Sequence, residues 1–485
     1  MSTGQKLLFV ASEAFPLIKT GGLADVAGSL PEVLRQQGMD VRLLLPAYAD
    51  LLANLEAPPV HKVELQVAGQ PVRVLECLLP GTALRTWLLE HPLFSERPGN
   101  PYHDAQGVAW PDNPERFLLF SRVAAHLGTR ASALNWRPEI LHCNDWHTGP
   151  AIALAKLELD CPRSVFTIHN LAHMGIFDRA TFDRLGLPER FWQEHGLEYY
   201  GQFNFIKGGL VFADEITTVS PTYAQEICEA PGGMGLEGLL HHRREHLWGI
   251  LNGIRRDVWN PAQDPALVQH YDSASLDKKA LNRAALQREV GLRAQDDRPV
   301  LGFIGRLVEQ KGLELMLPVL EDLLDSPAQI VILGAGEVRY QQHLQALAAR
   351  RAGEFAVIVG YDESLAHRIE AGADIFMMPS LFEPCGLNQL YSLRYGTPPV
   401  VRSVGGLADT VIDASEAALG DGTATGFVFA EPAAGEFVGA MRRAIALWHD
   451  QDAWRALQRA GMAQDFSWQR SAERYQALYN GAIYS

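Results

Sequence analysis

The 485-residue sequence predicts an α/β protein built from two doubly wound domains in series. Three observations carry that expectation. Short apolar runs rich in β-formers alternate with amphipathic stretches, the pattern of buried parallel strands covered by helices on both faces. The rhythm occurs twice, once before the glycine-rich region near residue 250 and again from Val300 onward. The length also exceeds the ~100–200 residues of an ordinary domain, and 47% apolar with 20% charged residues supplies material for more than one core.

In the first half, Leu7–Ala11, Val41–Leu45, Ile140–His142 and Ser164–Ile168 read as strands. All but the second lead into a loop carrying Gly, Asn or Asp and then a helical pattern. Gly69–Pro114, with alternating patterns and several prolines, reads as a β-rich insertion. The stretch His241–Asn260 is rich in charge, Trp and Gly and follows the turn-like Pro231-Gly232-Gly233-Met234-Gly235, which puts a hinge near Gly249–Gly253. In the second half, Val300–Ile304, Ile330–Leu333, Ala356–Val359, Ile375–Met378 and Pro399–Arg402 read as strands, with Leu313–Leu324, Tyr340–Arg351 and Leu365–Ala371 as helices. Three helical segments follow Pro432, the last at Ala472–Ile483. The expected division is residues 1–250, residues 251–465 and a terminal helix over 466–485.

Composition excludes several classes of function. Lys plus Arg number 42 against 57 Asp plus Glu, a formal net charge of −15, which repels phosphate backbones and anionic lipid. Neither nucleic acid nor membrane is an expected partner. No segment approaches the ~20 apolar residues of a bilayer span, and the apolar stretch Leu7–Ala11, halted by Glu13, is too short for a signal peptide. Five scattered cysteines without a Cys-x-x-Cys pair form neither a disulfide framework nor a zinc ribbon. They fit a reducing compartment, and the cytoplasm is the expected location.

Chemistry concentrates where strands give way to helices. Gly21-Gly22-Leu23-Ala24-Asp25 recurs as Gly405-Gly406-Leu407-Ala408-Asp409, each copy opening a helical stretch. A Gly-Gly step lets backbone N–H groups approach an anion, and equally makes a tight turn with no ligand. Lys19 sets a cation beside the first copy. Arg306 and Lys311, on the loop after Val300–Ile304, are placed to clamp the two phosphates of a diphosphate, or to be an ordinary solvated pair. Gly334-x-Gly336 is not a dinucleotide fingerprint, because Arg339 holds its third glycine position. Glu383-Pro384-Cys385-Gly386-Leu387-Asn388 puts a carboxylate before a helix, where open α/β sheets bind ligands, or where a simple cap sits. Cys385 reads as a packed thiol. His142–His147 and His169–His173 invite a metal, yet no Glu follows His169 as in a zinc-binding helix. Polar substrate contacts explain both clusters better, and no metal or cofactor is expected.

Taken together, Lys19-Thr20-Gly21-Gly22-Leu23-Ala24-Asp25-Val26 resembles the N-terminal signature of bacterial glycogen synthases and plant starch synthases. Pro101-Tyr102-His103-Asp104, Asn144-Asp145-Trp146-His147, Thr167-Ile168-His169-Asn170-Leu171, Gly305-Arg306-Leu307 with Lys311-Gly312, and Glu383-Pro384-Cys385-Gly386-Leu387 match in order and approximate spacing, from Leu7 to Phe466-Ser467-Trp468. The resemblance implies the GT-B architecture, two Rossmann-like domains facing across a cleft with a C-terminal helix crossing back to the first. It implies retaining transfer of glucose from ADP-glucose to the non-reducing end of an α-1,4-glucan. A related transferase using another sugar nucleotide or acceptor, and an inactive glucan-binding protein, are the alternatives.

Carried over by motif, the donor-binding set is Lys19, Gly21, Gly22, Asp25, Asn252, Arg306, Lys311, Cys385, Gly386 and Leu387. Lys19 with Gly21 and Gly22 would hold donor phosphate, while Arg306 and Lys311 would neutralise the leaving diphosphate. Glu383 would hold donor glucose hydroxyls. His169 and Asp145 would face the reacting sugar, and Tyr102 would lie near the sugar or acceptor. The implied catalytic group is thus Glu383, His169, Asp145, Arg306 and Lys311. Such chemistry builds positive charge at the anomeric carbon and negative charge on the diphosphate. Without an Asp-x-Asp metal motif, fixed cations and dipoles carry the stabilisation. Asn388 and Arg255 stand where the family usually has Thr and Asp.

Overall fold

Parallel pairing of short buried strands builds both halves of the chain. The computed structural model describes residues 4–97, 99–104, 106–129, 134–294, 297–326 and 328–482. Two units result: Met1–Gly253 together with Trp468–Ser485, and Ile254–Ser467.

In the first unit the strands are Lys6–Val10 (β1), Asp40–Pro46 (β2), Val60–Val67 (β3), Gln70–Leu78 (β4), Arg85–Glu90 (β5), Ile140–Asn144 (β6), Arg163–Ile168 (β7), Ile176–Phe177 (β8), Glu198–Tyr199 (β9), Gln202–Asn204 (β10), Glu215–Thr218 (β11) and Leu247–Gly249 (β12). Nine of them form one sheet in the order β12-β11-β7-β6-β1-β2-β5-β4-β3, and β8-β10-β9 form a small second sheet. β1 lies centrally, in parallel with β2 and β6. Its Leu7, Leu8, Phe9 and Val10 are wholly buried, as a strand covered on both faces requires.

The region Gly69–Pro114 departs from expectation. β4 and β5 are not an insertion but extend the main sheet, β5 in parallel with β2 and β4 antiparallel to both β5 and β3. The turn from β3 to β4 is Ala68-Gly69, both at positive φ (50° and 76°), the geometry that matches a tight hairpin to strand twist. After β5 come helices at Pro92–Ser95 and Asn113–Gly128 instead of further strands.

The helix Trp468–Tyr479 belongs to this first unit. It packs on the helix Gly22–Gln36, and its Tyr479 hydroxyl bonds to His142 Nδ1 at 2.7 Å. The far side of that ring meets Thr167 Oγ1 at 2.6 Å, and Thr167 meets Thr217 at 2.5 Å. Three strands are thereby tied to the terminal helix. Burial lowers the His142 ring to about 3, so it is neutral in this chain of bonds. Ser471 Oγ also donates to Leu251 O at 2.7 Å. The expected span ran to Ile483, which lies outside the described residues.

In the second unit Val300–Ile304 (β13), Gln329–Gly334 (β14), Phe355–Val359 (β15), Ile375–Met378 (β16), Pro399–Arg402 (β17) and Phe427–Phe429 (β18) form one sheet in the order β15-β14-β13-β16-β17-β18. All its pairs are parallel. The order reverses between β13 and β16, which makes their carboxyl ends the switch point where such sheets bind ligands. The expected helix Leu313–Leu324 is interrupted. Leu313–Met316 and Leu320–Asp325 are α-helical, and a 3₁₀ turn, Leu317–Val319, separates them because Pro318 removes a backbone donor. A stack of rings steadies the other face of the sheet: Trp259 lies on His367 (3.8 Å, 10°) and on Tyr391 (3.7 Å, 9°). Tyr391 sits in the helix Asn388–Arg394, directly after the Glu383 loop. No helix among the described residues is long and apolar enough to cross a membrane.

Candidate active site

In the first unit the candidate residues gather beyond the carboxyl ends of β1, β6 and β7. Asp145 follows β6 in the left-handed region (φ 57°) and is only 9% exposed. That strained backbone aims its Oδ1 at the His169 N–H, 2.8 Å away. Burial pushes the Asp145 carboxyl up to about 7, against the pull of the N–H groups of His169 and Asn170. His169 Nε2 meets Asn144 Oδ1 at 2.9 Å, and Asn144 Nδ2 donates to Val10 O. Asn144 Oδ1 must therefore accept, so Nε2 carries the ring proton and Nδ1 keeps its lone pair. Burial lowers this ring to about 3 and keeps it neutral. Asp145 and His169, both expected to face the reacting sugar, thus meet through a bond from side chain to backbone.

Tyr102 stacks on His147 (4.6 Å, 28°), and its hydroxyl meets Ser12 Oγ at 2.7 Å. Ser12 Oγ is also 3.2 Å from His147 Nδ1. The loop after β1 brings in Glu13, which sequence reasoning did not select. It is 3% exposed. Its carboxylate accepts the Thr20 N–H and, at 2.9 Å, the Thr20 hydroxyl. Burial raises it to about 7 despite these donors and those of Gly21 and Tyr102. An acidic residue just past a central parallel strand was the one signal available for it.

Lys19 Nζ lies 2.9 Å from Asp25 Oδ1, and both side chains are partly exposed. Gly21 caps the helix Gly22–Gln36, whose first N–H groups have no intrahelical acceptor. A Cβ at Gly21 would meet nothing within 4 Å, so packing does not demand a glycine there. Asn252 is 6% exposed, and its Oδ1 is buried with no partner among the described residues.

The second copy of the echo serves packing instead. A Cβ at Gly405 would stand 2.0 Å from Glu383 O, and one at Gly406 would stand 2.1 Å from Cys385 O. The Gly406 N–H donates to Glu383 O at 3.1 Å, and this pair therefore clamps the Glu383 loop. Within that loop Glu383 is 6% exposed and accepts from Lys311 Nζ at 2.6 Å and Ser380 Oγ at 3.0 Å. The sequence set Lys311 against a diphosphate; here its charge is already engaged by Glu383. Arg306 is exposed and donates to Gln310 Oε1 at 3.0 Å. Cys385 is buried. Gly386 has φ 73°, and neither its N–H nor that of Leu387 meets an acceptor among the described residues. Asn388 Nδ2 donates to Ile304 O at 2.7 Å, joining β13 to the Glu383 loop. Arg255 pairs with Asp257. Another residue not selected from sequence is Tyr361, 75% exposed just beyond β15. Among the described residues no group of three or more His, Cys, Asp or Glu side chains is placed to hold a metal ion.

A mixed sheet with a parallel core and an all-parallel sheet, with two cations and a carboxylate at the switch point of the second, define a glycosyltransferase of the two-domain GT-B class. The starch synthase catalytic domain family matches residues 6–242, and the glycosyl transferases group 1 family matches residues 287–460. The chain is 52% identical to glycogen synthase 1 of Methylococcus capsulatus, covering 99% of this chain and 97% of that protein. It is 50% identical to the glycogen synthase of Halorhodospira halophila, covering 99% of each. The catalytic domain of starch synthase IV from Arabidopsis thaliana, solved bound to ADP and acarbose, superposes with a TM-score of 0.88 at 32% identity, covering 99% of this chain and 100% of that one. The chain belongs to the glycogen synthase family, as its motifs imply.

Proposed function

We propose that the protein transfers glucose from ADP-glucose to the non-reducing end of an α-1,4-glucan, with retention at the anomeric carbon and release of ADP. The observation that carries this reading is the 2.6 Å contact of Lys311 with Glu383 at the switch point between β13 and β16. A cation suited to a diphosphate and a carboxylate suited to sugar hydroxyls are thereby held within one hydrogen bond. Arg306, exposed on the same loop, adds a planar fork for phosphate oxygens. The N–H groups of Gly386 and Leu387 add donors, and Tyr361 offers a flat ring for the nucleotide base. The starch synthase IV structure, bound to ADP and acarbose, supports both the donor nucleotide and the glucan-like acceptor.

In this reading residues 1–250 supply the acceptor side, residues 251–465 bind ADP-glucose, and the helix after 466 completes the first part. Lys19, Gly22 and Asn252 receive donor phosphate and sugar. His169 offers Nδ1 as an acceptor to a sugar hydroxyl, with Asp145 fixing the backbone beside it. As the donor bond breaks, negative charge grows on the diphosphate, and the fixed Arg306 and Lys311 charges stabilise that state more than the ground state. None of the five cysteines is joined in a disulfide, which supports a cytoplasmic location.

The test is incorporation of labelled glucose into added glycogen from ADP-glucose and, separately, from UDP-glucose. Rapid incorporation from ADP-glucose, released again by an enzyme specific for α-1,4 linkages, is expected. No incorporation, or incorporation from UDP-glucose alone, overturns the reading.

A further inference from the structure

Glu13 is a buried carboxylate that the chemistry above does not use. It lies beyond the carboxyl end of β1, at the neck of the loop that returns to the helix Gly22–Gln36. Besides the Lys19–Asp25 ion pair, the other bonds of the loop are backbone ones: Phe15 N to Ala24 O at 2.9 Å, Ile18 N to Ala14 O at 3.0 Å and Ala24 N to Gly21 O at 3.3 Å. None of these fixes the direction in which Thr20 and Gly21 present their N–H groups. Glu13 does, since its carboxylate accepts the Thr20 N–H and the Thr20 hydroxyl, while the Gly21 N–H and the Tyr102 hydroxyl favour its charged form. A carboxylate accepts on about four lone-pair sites and donates nothing. The two Thr20 donors need an acceptor at each oxygen, which a carboxyl supplies and an amide of that length does not.

The inward turn of those donors has a consequence on the other side of the loop. The Thr20 N–H is consumed by Glu13 and is not available to an anion. What remains outward is the partly exposed Lys19 ammonium with its partner Asp25, the N–H groups that open the helix at Gly22, and the open space beside Gly21. We propose that Glu13 is a positioning residue for donor binding: it holds the Lys19–Gly22 turn so that Lys19 and the helix start face the donor phosphate. The proposal rests on the ADP-glucose reading given above. Glu13 itself touches no substrate, and its influence passes through Lys19.

The test is a double-mutant cycle in the full chain, with Glu13→Gln, Lys19→Ala and the pair. Gln is isosteric but sets an amide N–H₂ against donors that need an acceptor. Loss of charged hydrogen bonds of this kind corresponds to a fall of about 10- to 100-fold in kcat/KM for ADP-glucose. The KM for glycogen should stay within about twofold, a split that general loosening of the fold would not produce. If Glu13 acts through Lys19, the double variant is no slower than Lys19→Ala alone. Thr20→Val, which deletes only the hydroxyl contact, should give a smaller loss in the same direction and guards against misfolding of the first variant.

Full activity in Glu13→Gln, or losses that multiply in the double variant, overturns the proposal. A parallel arm follows amide hydrogen exchange at Thr20 and Gly21, which should quicken at least about tenfold in Glu13→Gln. Should the unaltered protein fail to use ADP-glucose, the functional reading falls, and the exchange arm alone decides whether Glu13 anchors the turn; unchanged exchange sinks it.

Discussion

Replacing Gly406 by Ala tests whether the second Gly-Gly pair is a clamp on the Glu383 loop. The added Cβ would stand 2.1 Å from Cys385 O, and backbone cannot yield as a flexible side chain does. Relief needs a displacement of about 1 Å, and a shift of that size in a positioned catalytic group costs on the order of 100-fold in rate. The same displacement strains the Gly406 N–H bond to Glu383 O, and overpacking of a buried site costs about 1–3 kcal/mol. Gly21→Ala is the matched control, because its Cβ would enter open space. As a helix-cap change it should cost no more than ~1 kcal/mol of stability, yet it places a methyl group where the donor phosphate is proposed to approach. Thermal unfolding and kcat/KM for ADP-glucose, measured on both variants, decide the matter. Gly406→Ala should lose both stability and rate, and Gly21→Ala should lose mainly rate. A Gly406→Ala protein with unaltered melting and turnover refutes the clamp, and a strongly destabilised Gly21→Ala refutes the division of labour between the two copies.

Arg306→Ala and Lys311→Ala should each lower turnover by about 100-fold, comparable to loss of an oxyanion donor; folded variants with near-normal rates would remove both from the mechanism. Activity should survive exhaustive EDTA treatment and dialysis, and a loss restored by zinc or magnesium would point back to His169 and His173. Tyr361→Ala should raise the KM for ADP-glucose about tenfold while leaving the glycogen KM alone; equal effects on both would exclude stacking on the base. The His142 ring, lowered to about 3 from 6.5, contributes stability that is present above the unfolded value and is lost as pH falls through it. Between pH 7 and pH 4.5 the loss amounts to about 2–3 kcal/mol. Amide exchange in Trp468–Tyr479 should quicken over that range, and His142→Gln should flatten the dependence.

The central strands of the second sheet were legible because they are buried on both faces and so appear as unbroken apolar runs, as in Ile330–Leu333 and Ile375–Met378. β3 was not legible: its outward face is polar and its inward face alternates, so it lacks a run. β11 (Glu-Ile-Thr-Thr), β12 and β18 are short, and β11 is polar in composition although wholly buried. Its threonines bond across strands, as Thr217 does to Thr167. The motifs around Asp145, His169, Arg306, Lys311 and Glu383 stood out because loops at strand ends concentrate unusual residues. Glu13 did not, since its partners on other elements, such as Tyr102, meet it only through the fold. The same holds for the second Gly-Gly pair. Five identical residues at positions 21 and 405 looked like one device, and only the approach of Cys385 O distinguishes packing from exposure.

The helix Trp468–Tyr479 has a consequence for how the chain is made. Residues 254–467 form a contiguous unit, whereas the first unit takes its last helix from beyond them. On a ribosome, the groove formed by the helix Gly22–Gln36 and the His142 face of the sheet must therefore wait, unfilled, while the entire second unit is synthesised. Its eventual occupants, Trp468, Ala472, Tyr475, Leu478 and Tyr479, are buried residues, so the waiting surface is apolar and open to misassociation. The part of the chain that emerges first is thus the part that finishes last. A nascent chain arrested before Trp468 should display that groove to chaperones, and a peptide spanning 468–482 supplied in trans should close it.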